Sequence, residues 1–379
     1  MSQRISIDPA TEGLYGAGGA VEVAGRIFVS GLSGDGDTAV AQFQGAVDQS
    51  REALTRLGSS LDDVVRSRIF YTEPSDRDSL GLAHGTAFLN IRPALSMTQV
   101  HFLPDGATSL FEIEAVQGSS SSRTTRAYDM PNAADWGYSG AVRVGDDIWV
   151  SGVTTLQASG DCLFPGDLPE QARWITGKIG AMIGSLGGRR TDIVSARHYT
   201  NVAYVGTNTV DERLGVMHPH HPTSAGITVQ GVGDRRLGEM IEVEAIMGAT
   251  ESRRNLSSGR PYEEDHHYCR SVAVGDVVYI SGTTSVQLDE RVGSPFDAYG
   301  QTLQTLDWIQ WGIENQGFLY SDIVCTRTYV VGQENLSPVA RGLKEALGEY
   351  RPASTVVGVP ALGRPNILVE IEALAAREN

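Results

Sequence analysis

Three Glu-x-Glu segments, Glu112-Ile-Glu114, Glu242-Val-Glu244 and Glu370-Ile-Glu372, each place two carboxylates on one face of a strand. A buried carboxylate of this kind can act as a general base or hold a water, because burial raises its pKa. It can equally be half of a structural ion pair, and the partners exist. Arg68, Arg197 and Arg327 each follow an Asp-[Val/Ile]-Val strand start at Asp63, Asp192 and Asp322. These arginines either neutralise the glutamates or bind a substrate anion. Three apolar strands end in Ser-Gly: Ser30-Gly31, Ser151-Gly152 and Ser281-Gly282. Backbone N–H groups at such ends can face an oxyanion, or the pair can simply close a strand.

The histidines offer less. His218-Pro-His220-His221 lacks the i, i+4 spacing of a helical metal site, and Pro219 and Pro222 make it a loop, so no metal is expected there. Asp265-His266-His267-Tyr268-Cys269 immediately precedes a strand, which makes His266 or His267 a candidate acid/base residue. Cys269 would need a depressed pKa to act as a nucleophile. Neither Gly-x-Ser-x-Gly nor a strand-borne Gly-x-Gly-x-x-Gly occurs, so no cofactor is expected.

The candidate residues recur because the elements beneath them recur. Arg68 precedes Pro93, Arg197 precedes Pro222 and Arg327 precedes Pro352 by 25 residues each; the first Glu then follows that Pro by 19, 20 and 18. Three tandem units are expected, at 1–123, 124–252 and 253–379, with polar linkers at Gln117–Arg123 and Thr250–Asp265. Each unit reads as β-β-α-β-α-β-β. Gly/Asp turns at Gly145-Asp146 and Gly275-Asp276 mark a hairpin. Stripes such as Ile175, Ile179, Met182 and Leu186 mark an amphipathic helix, and Gly58, Gly187 and Gly317 stand at the helix C-termini. The second helix is clear at Ser79–Leu89 and Pro338–Tyr350 but degraded in unit two, where Val205–His221 reads as a long loop. Helices cover one sheet face only. The other faces of three units can bury one another as a closed ring, with one chain completing one ring or a dimer of rings.

Composition limits the rest. Of 379 residues, 41% are hydrophobic and 20% charged, an ordinary globular balance. A net charge of −16 disfavours nucleic acid and anionic membranes as partners. Three scattered cysteines, no apolar span and no leader-like start point to a reducing cytoplasm.

The Ser-Gly strand ends, the Asp-Ile-Val strands, Arg351-Pro-Ala and the terminal Glu-Ile-Glu-Ala resemble the Rid (YjgF) family, three times over. The resemblance implies a chorismate-mutase-like α+β fold, closed here into a pseudo-three-fold ring with small-molecule clefts between units. It implies a water-holding Glu at Glu112, Glu242 and Glu370, and Ser-Gly at the three strand ends. It places a Tyr at Tyr138 and Tyr268, with Ala17 in unit one. The Glu would come from one unit and the Tyr and Ser-Gly from its neighbour. The Tyr268 strand would build the competent cleft, with Glu112 or Glu242 as its carboxylate. The family's carboxylate-clamping Arg falls on Leu95, Ser224 and Ser354, and its Cys on Met97, Gly226 and Val356. Leu and Ser cannot make Arg's bidentate fork, which leaves Arg68, Arg197 or Arg327 as substitutes. The activity implied is cofactor-free hydrolysis, deamination, tautomerisation or cyclisation of a small imine, enamine or enol, in specialised metabolism. A chorismatase-like hydrolase and a degenerate binding protein are the alternatives.

Overall fold

The computed structural model describes residues 2–378. Three six-stranded sheets follow one another along the chain. The first repeat runs β1 (Gln3–Ile5), α1 (Pro9–Tyr15), β2 (Ala20–Val23), β3 (Arg26–Leu32), α2 (Ala39–Arg56), β4 (Val64–Tyr71), α3 (Arg77–Phe88), β5 (Ala94–Gln99) and β6 (Ser109–Val116). The second runs β7 (Thr124–Arg126), β8 (Ala141–Val144), β9 (Asp147–Val153), α4 (Leu168–Ser185), β10 (Ile193–Asn201), α5 (Val210–Met217), β11 (Thr223–Val229) and β12 (Glu239–Ile246). After α6 (Ala249–Ser252), the third runs β13 (Arg254–Leu256), α7 (Pro261–Asp265), β14 (Ser271–Val274), β15 (Val277–Thr283), α8 (Ala298–Glu314), β16 (Ile323–Val331), α9 (Leu336–Leu347), β17 (Ala353–Val359) and β18 (Val369–Ala376).

Each sheet has the same order, β1-β2-β3-β6-β4-β5 in the first. The parallel pairs are those joined through a helix, β4–β5, β10–β11 and β16–β17. The long helices start where a side chain caps them: Thr38, Asp167 and Asp297 accept from the backbone three residues on. They stop before Gly58, Gly187 and Gly317, all at positive φ. Their apolar stripes (Phe43, Val47 and Leu54; Ile175, Ile179 and Met182) pack on one sheet face.

Two expectations need correction. The stretch 250–265 is not a free linker: it forms β13, an edge strand on the third sheet, and α7. The 205–221 region contains a helix, α5, of 8 residues against 12 in α3 and α9. Two glycines, Gly206 and Gly215, and an acidic first turn had masked its apolar positions Val216 and Met217.

The uncovered faces meet around a central axis. Each repeat lays its post-proline strand beside the next repeat's Ser-Gly strand: β5 on β9, β11 on β15, and β17 on β3. The serine is the stitch in all three places. Ser151 accepts from the Leu95 amide at 2.8 Å, Ser281 from Ser224 at 2.9 Å and Ser30 from Ser354 at 2.8 Å. Each hydroxyl donates within its own repeat at 2.6 Å, to Ser139, Cys269 or Gly18 carbonyls. The ring therefore has three seams, named here 1–2, 2–3 and 3–1.

Candidate functional site

Six side chains alternate in charge around the axis. Within repeats, Arg68 pairs with Glu112 at 2.7 Å, Arg197 with Glu242 at 3.4 Å and Arg327 with Glu372 at 2.5 Å. Between repeats, Arg68 pairs with Glu242 at 2.9 Å, Arg197 with Glu372 at 2.5 Å, and Arg327 with Glu112. Thr355 and Ser96 donate to Glu112 and Glu242, and Tyr329 donates to Glu372 at 2.8 Å. Burial alone would raise these carboxyl pKa values. The surrounding guanidiniums outweigh it and hold Glu112, Glu242 and Glu372 below the usual carboxylate range. Glu112 and Glu242, expected as water-holding carboxylates, are each paired with two arginines. Arg68, Arg197 and Arg327 are held by the same carboxylates and line neither large cleft; Arg197 and Arg327 border only a cavity of about 20 Å³, shared with Glu114, Glu244 and Glu372.

Strand register shows why the third carboxylate differs. β6 sets Glu112 opposite Arg68 and β12 sets Glu242 opposite Arg197, but β18 sets Glu372 opposite Arg327. Glu370 lies opposite Tyr329, the place held by Leu110 opposite Phe70 and Met240 opposite Tyr199. Glu370 is therefore not the copy of Glu112 and Glu242. It is a carboxylate standing where the other repeats carry apolar side chains. The spacing of 18 rather than 19 or 20 was the signal of this shift.

The same three positions cover the Ser-Gly glycines. A Cβ on Gly31 would lie 2.2 Å from Leu110, on Gly152 2.4 Å from the Met240 sulfur, and on Gly282 2.1 Å from Glu370 Oε1. Seam 1–2 is filled. Trp136 lies on Gly81 of α3, with Arg77 4.7 Å above its ring, and buried Tyr138 donates to the Pro131 carbonyl at 2.5 Å. Tyr138, expected as a cleft residue, is packed into this filled seam. Seam 3–1 opens into a cleft of about 350 Å³ with Ala17, Leu110, Asp35 and Asp105 on its walls and no Lys, Arg or His. There, Thr355 accepts from the Gly31 amide at 3.0 Å.

Seam 2–3 opens into a cleft of about 230 Å³ that gathers the chemistry: Glu370, Tyr268, Gly282, Ser224, His198, His266 and four arginines. Ala225 occupies the place of Thr355, so no hydroxyl stands opposite the Gly282 amide. Glu370 is 7% exposed, and among the described residues none donates a hydrogen bond to it. Burial, then the charge of Glu372, push its carboxyl up to about 8 against the pull of Arg270. Arg270 bridges Glu263 at 3.0 Å and the Tyr268 hydroxyl at 3.4 Å. It replaces Gly19 and Gly140, the residues whose carbonyls likewise accept from the Ser-Gly serine. Aligning those three positions would have exposed it.

Glu370, Tyr268 and Ser281-Gly282 all belong to the third repeat, and the second supplies His198, Arg213 and Ser224. The expectation that the carboxylate crosses from a neighbouring repeat is corrected by the pairing of β15 with β18 in one sheet. His267 is not on the cleft wall; its ring packs against His218 and His221 at 5.4 and 5.7 Å. His266 takes the wall position instead. Burial pushes the Cys269 thiol up to about 12, which removes it as a nucleophile.

The fold and its seams define the class: three small α+β domains fused in one chain as an intramolecular trimer, with clefts between domains. Residues 6–117 and 260–377 match the family described as endoribonuclease L-PSP, and the chain belongs to that family, also called YjgF or Rid. Repeat 2, with its shortened α5, falls outside the matched segments. An uncharacterized protein of Streptomyces coelicolor is 30% identical over 34% of this chain and 95% of its own length. A RutC family protein of Pyrococcus horikoshii is 27% identical over 29% of this chain and 87% of its own. A YjgF-family structure from Mycobacterium tuberculosis is 36% identical over 33% of this chain and 99% of its own, at a TM-score of 0.30. A chorismatase structure spans 83% of this chain and 93% of its own at a TM-score of 0.57 and 17% identity, a likeness of fold across all three repeats. Among the described residues, no helix is long and apolar enough to cross a membrane.

Proposed function

We propose that this protein is a cofactor-free enzyme that acts on a small imine, enamine or enol-type metabolite in cleft 2–3, with Glu370 as its proton carrier. The observation that carries the reading is the isolation of Glu370: a buried carboxyl that, among the described residues, receives no hydrogen bond, lying against Gly282, where the other repeats have Leu110 and Met240. A carboxyl with a pKa of about 8 is largely protonated at neutral pH, as a general acid requires. For an imine, Glu370 gives its proton to the nitrogen, and the resulting carboxylate takes one from the attacking water. The carbinolamine so formed collapses to a carbonyl and ammonia. An enamine or enol would first accept a proton at carbon. The Gly282 amide supplies a donor for developing negative charge on oxygen.

Ammonia release from enzymatically generated imines tests this. Wild-type protein should accelerate release, and Glu370→Gln should lower the rate by about 10²–10⁴. Tight binding of such compounds with no turnover by wild-type protein would instead make it a binding protein. Nucleic acid remains the disfavoured substrate, since a field of −16 opposes a phosphate backbone.

A further inference from the structure

Cleft 2–3 carries more positive charge than its walls neutralise. Four arginines line it: Arg213, Arg260, Arg270 and Arg364. Three are engaged. Arg213 faces Glu239. Arg270 pairs with Glu263 and donates to the Gly282 carbonyl at 3.1 Å and the Thr283 hydroxyl at 3.0 Å. Arg364 donates to the Tyr262 hydroxyl at 2.9 Å and to the Glu290 carbonyl.

Arg260 has no such partner. It is 5% exposed, yet its Nε and Nη2 make no hydrogen bond, and no carboxylate lies within ion-pair distance among the described residues. Its guanidinium lies 4.3 Å over the Trp308 ring, which fixes its plane without neutralising it. Burial, then the like charge of Arg270, bring its pKa down to about 10 against the pull of Tyr268 and of Glu263, which Arg270 already pairs, so it stays cationic at neutral pH. A buried cation with no ion-pair partner of its own is unfavourable unless an anion arrives to meet it. Arg260 is also particular to this repeat. Counting back 8 residues from Ala17, Tyr138 and Tyr268 gives Pro9, Met130 and Arg260.

We propose that Arg260 is the anion anchor of cleft 2–3, holding the oxyanion group, carboxylate or phosphate, of a small organic anion whose body extends toward Gly282. This makes the segment between β13 and α7 a specificity element, and it places the anchor away from Ser224, the post-proline position. The inference rests on cleft 2–3 being the ligand site but not on the chemistry of Glu370.

The test uses the full chain and three probes of one shape: benzoate, phenyl phosphate and neutral benzamide. Binding is read by calorimetry and by intrinsic tryptophan fluorescence. Wild-type protein should bind benzoate or phenyl phosphate about tenfold or more tightly than benzamide, and which anion it prefers identifies the oxyanion. Arg260→Gln should erase that preference while its Tm stays equal or rises, because an unpaired buried charge has been removed. Glu370→Gln should keep the preference, which separates failure of the anchor from failure of the catalytic reading. An absent preference in wild-type protein, a preference retained by Arg260→Gln, or a preference lost together with a lowered Tm would each overturn the proposal.

Discussion

Glu370 and its neighbours Glu112 and Glu242 look alike in the sequence and differ wholly in circumstance. Two of them sit in an alternating ring of charge; the third sits in a cleft with an elevated pKa. Substitution should separate them. Glu370→Gln should abolish most turnover with the fold intact. Glu242→Gln should cost about 3–5 kcal/mol of stability by leaving Arg68 and Arg197 undercompensated in a buried site, as denaturant titration would show. Equal loss of activity from both variants, with equal stability, would remove the distinction. The pKa of Glu370 also has a thermodynamic sign. Raised from 4.5 to about 8, the group keeps a proton in the native state that the unfolded chain has released across that interval. Its contribution to stability is complete below about pH 4.5 and declines as pH rises through 8. Unfolding measured from pH 5 to 9 should therefore fall more steeply for wild-type protein than for Glu370→Gln. Parallel curves would mean an ordinary carboxyl pKa.

At the scale of elements, the Ser-Gly strand end is two devices in one. The serine binds two repeats together by accepting one hydrogen bond across the seam and donating another within its own repeat, and the glycine leaves room for whatever lies on it. Ser281→Ala should therefore weaken seam 2–3 through the unpaired Ser224 amide, at about 1–3 kcal/mol. Gly282→Ala should act on chemistry instead. Its Cβ would lie 2.1 Å from Glu370 Oε1 and 3.0–3.1 Å from Ala225 across the seam, so the carboxyl must move and the seam must give slightly; turnover should fall by far more than stability does, as rates and thermal melts would show. Wild-type rates in Gly282→Ala would show that the position of Glu370 over this glycine is immaterial. The short helix α5 and the β13–α7 segment shape the same cleft from either side, contributing Arg213 and Met217 from one and Arg260 and Tyr262 from the other.

As a whole molecule, the chain closes in one copy the ring that a single repeat cannot, since each seam joins different repeats. Light scattering is expected at about 40.6 kDa, or twice that for a dimer of rings. A mass of three chains would contradict a self-completed ring. Fusion also frees the seams to diverge: one is filled by Trp136 and Met240, one is acidic and lacks the carboxyl over its glycine, and one carries Glu370 and the arginines.

The sequence by itself determined the repeat, the α+β class and the ring. Those follow from local periodicity, from turn residues such as Gly58 and Gly187, and from constant 25-residue spacings, all written along the chain. It also marked Tyr268, Gly282 and Glu370 as candidates, but it joined the Tyr268 strand to Glu112 or Glu242 rather than to Glu370. Only the tertiary structure decided which carboxylates are neutralised. A shift of two residues preserves the face of a strand, so Glu370 and Glu372 are indistinguishable by alternation alone. Their difference arises from register against Arg327 and from guanidiniums contributed by other repeats. Arg260 was hidden for a related reason. Nothing local marks an arginine in a polar stretch as buried and unpaired; that depends on Trp308 beneath it and on no carboxylate among the described residues coming within ion-pair distance once the ring has closed.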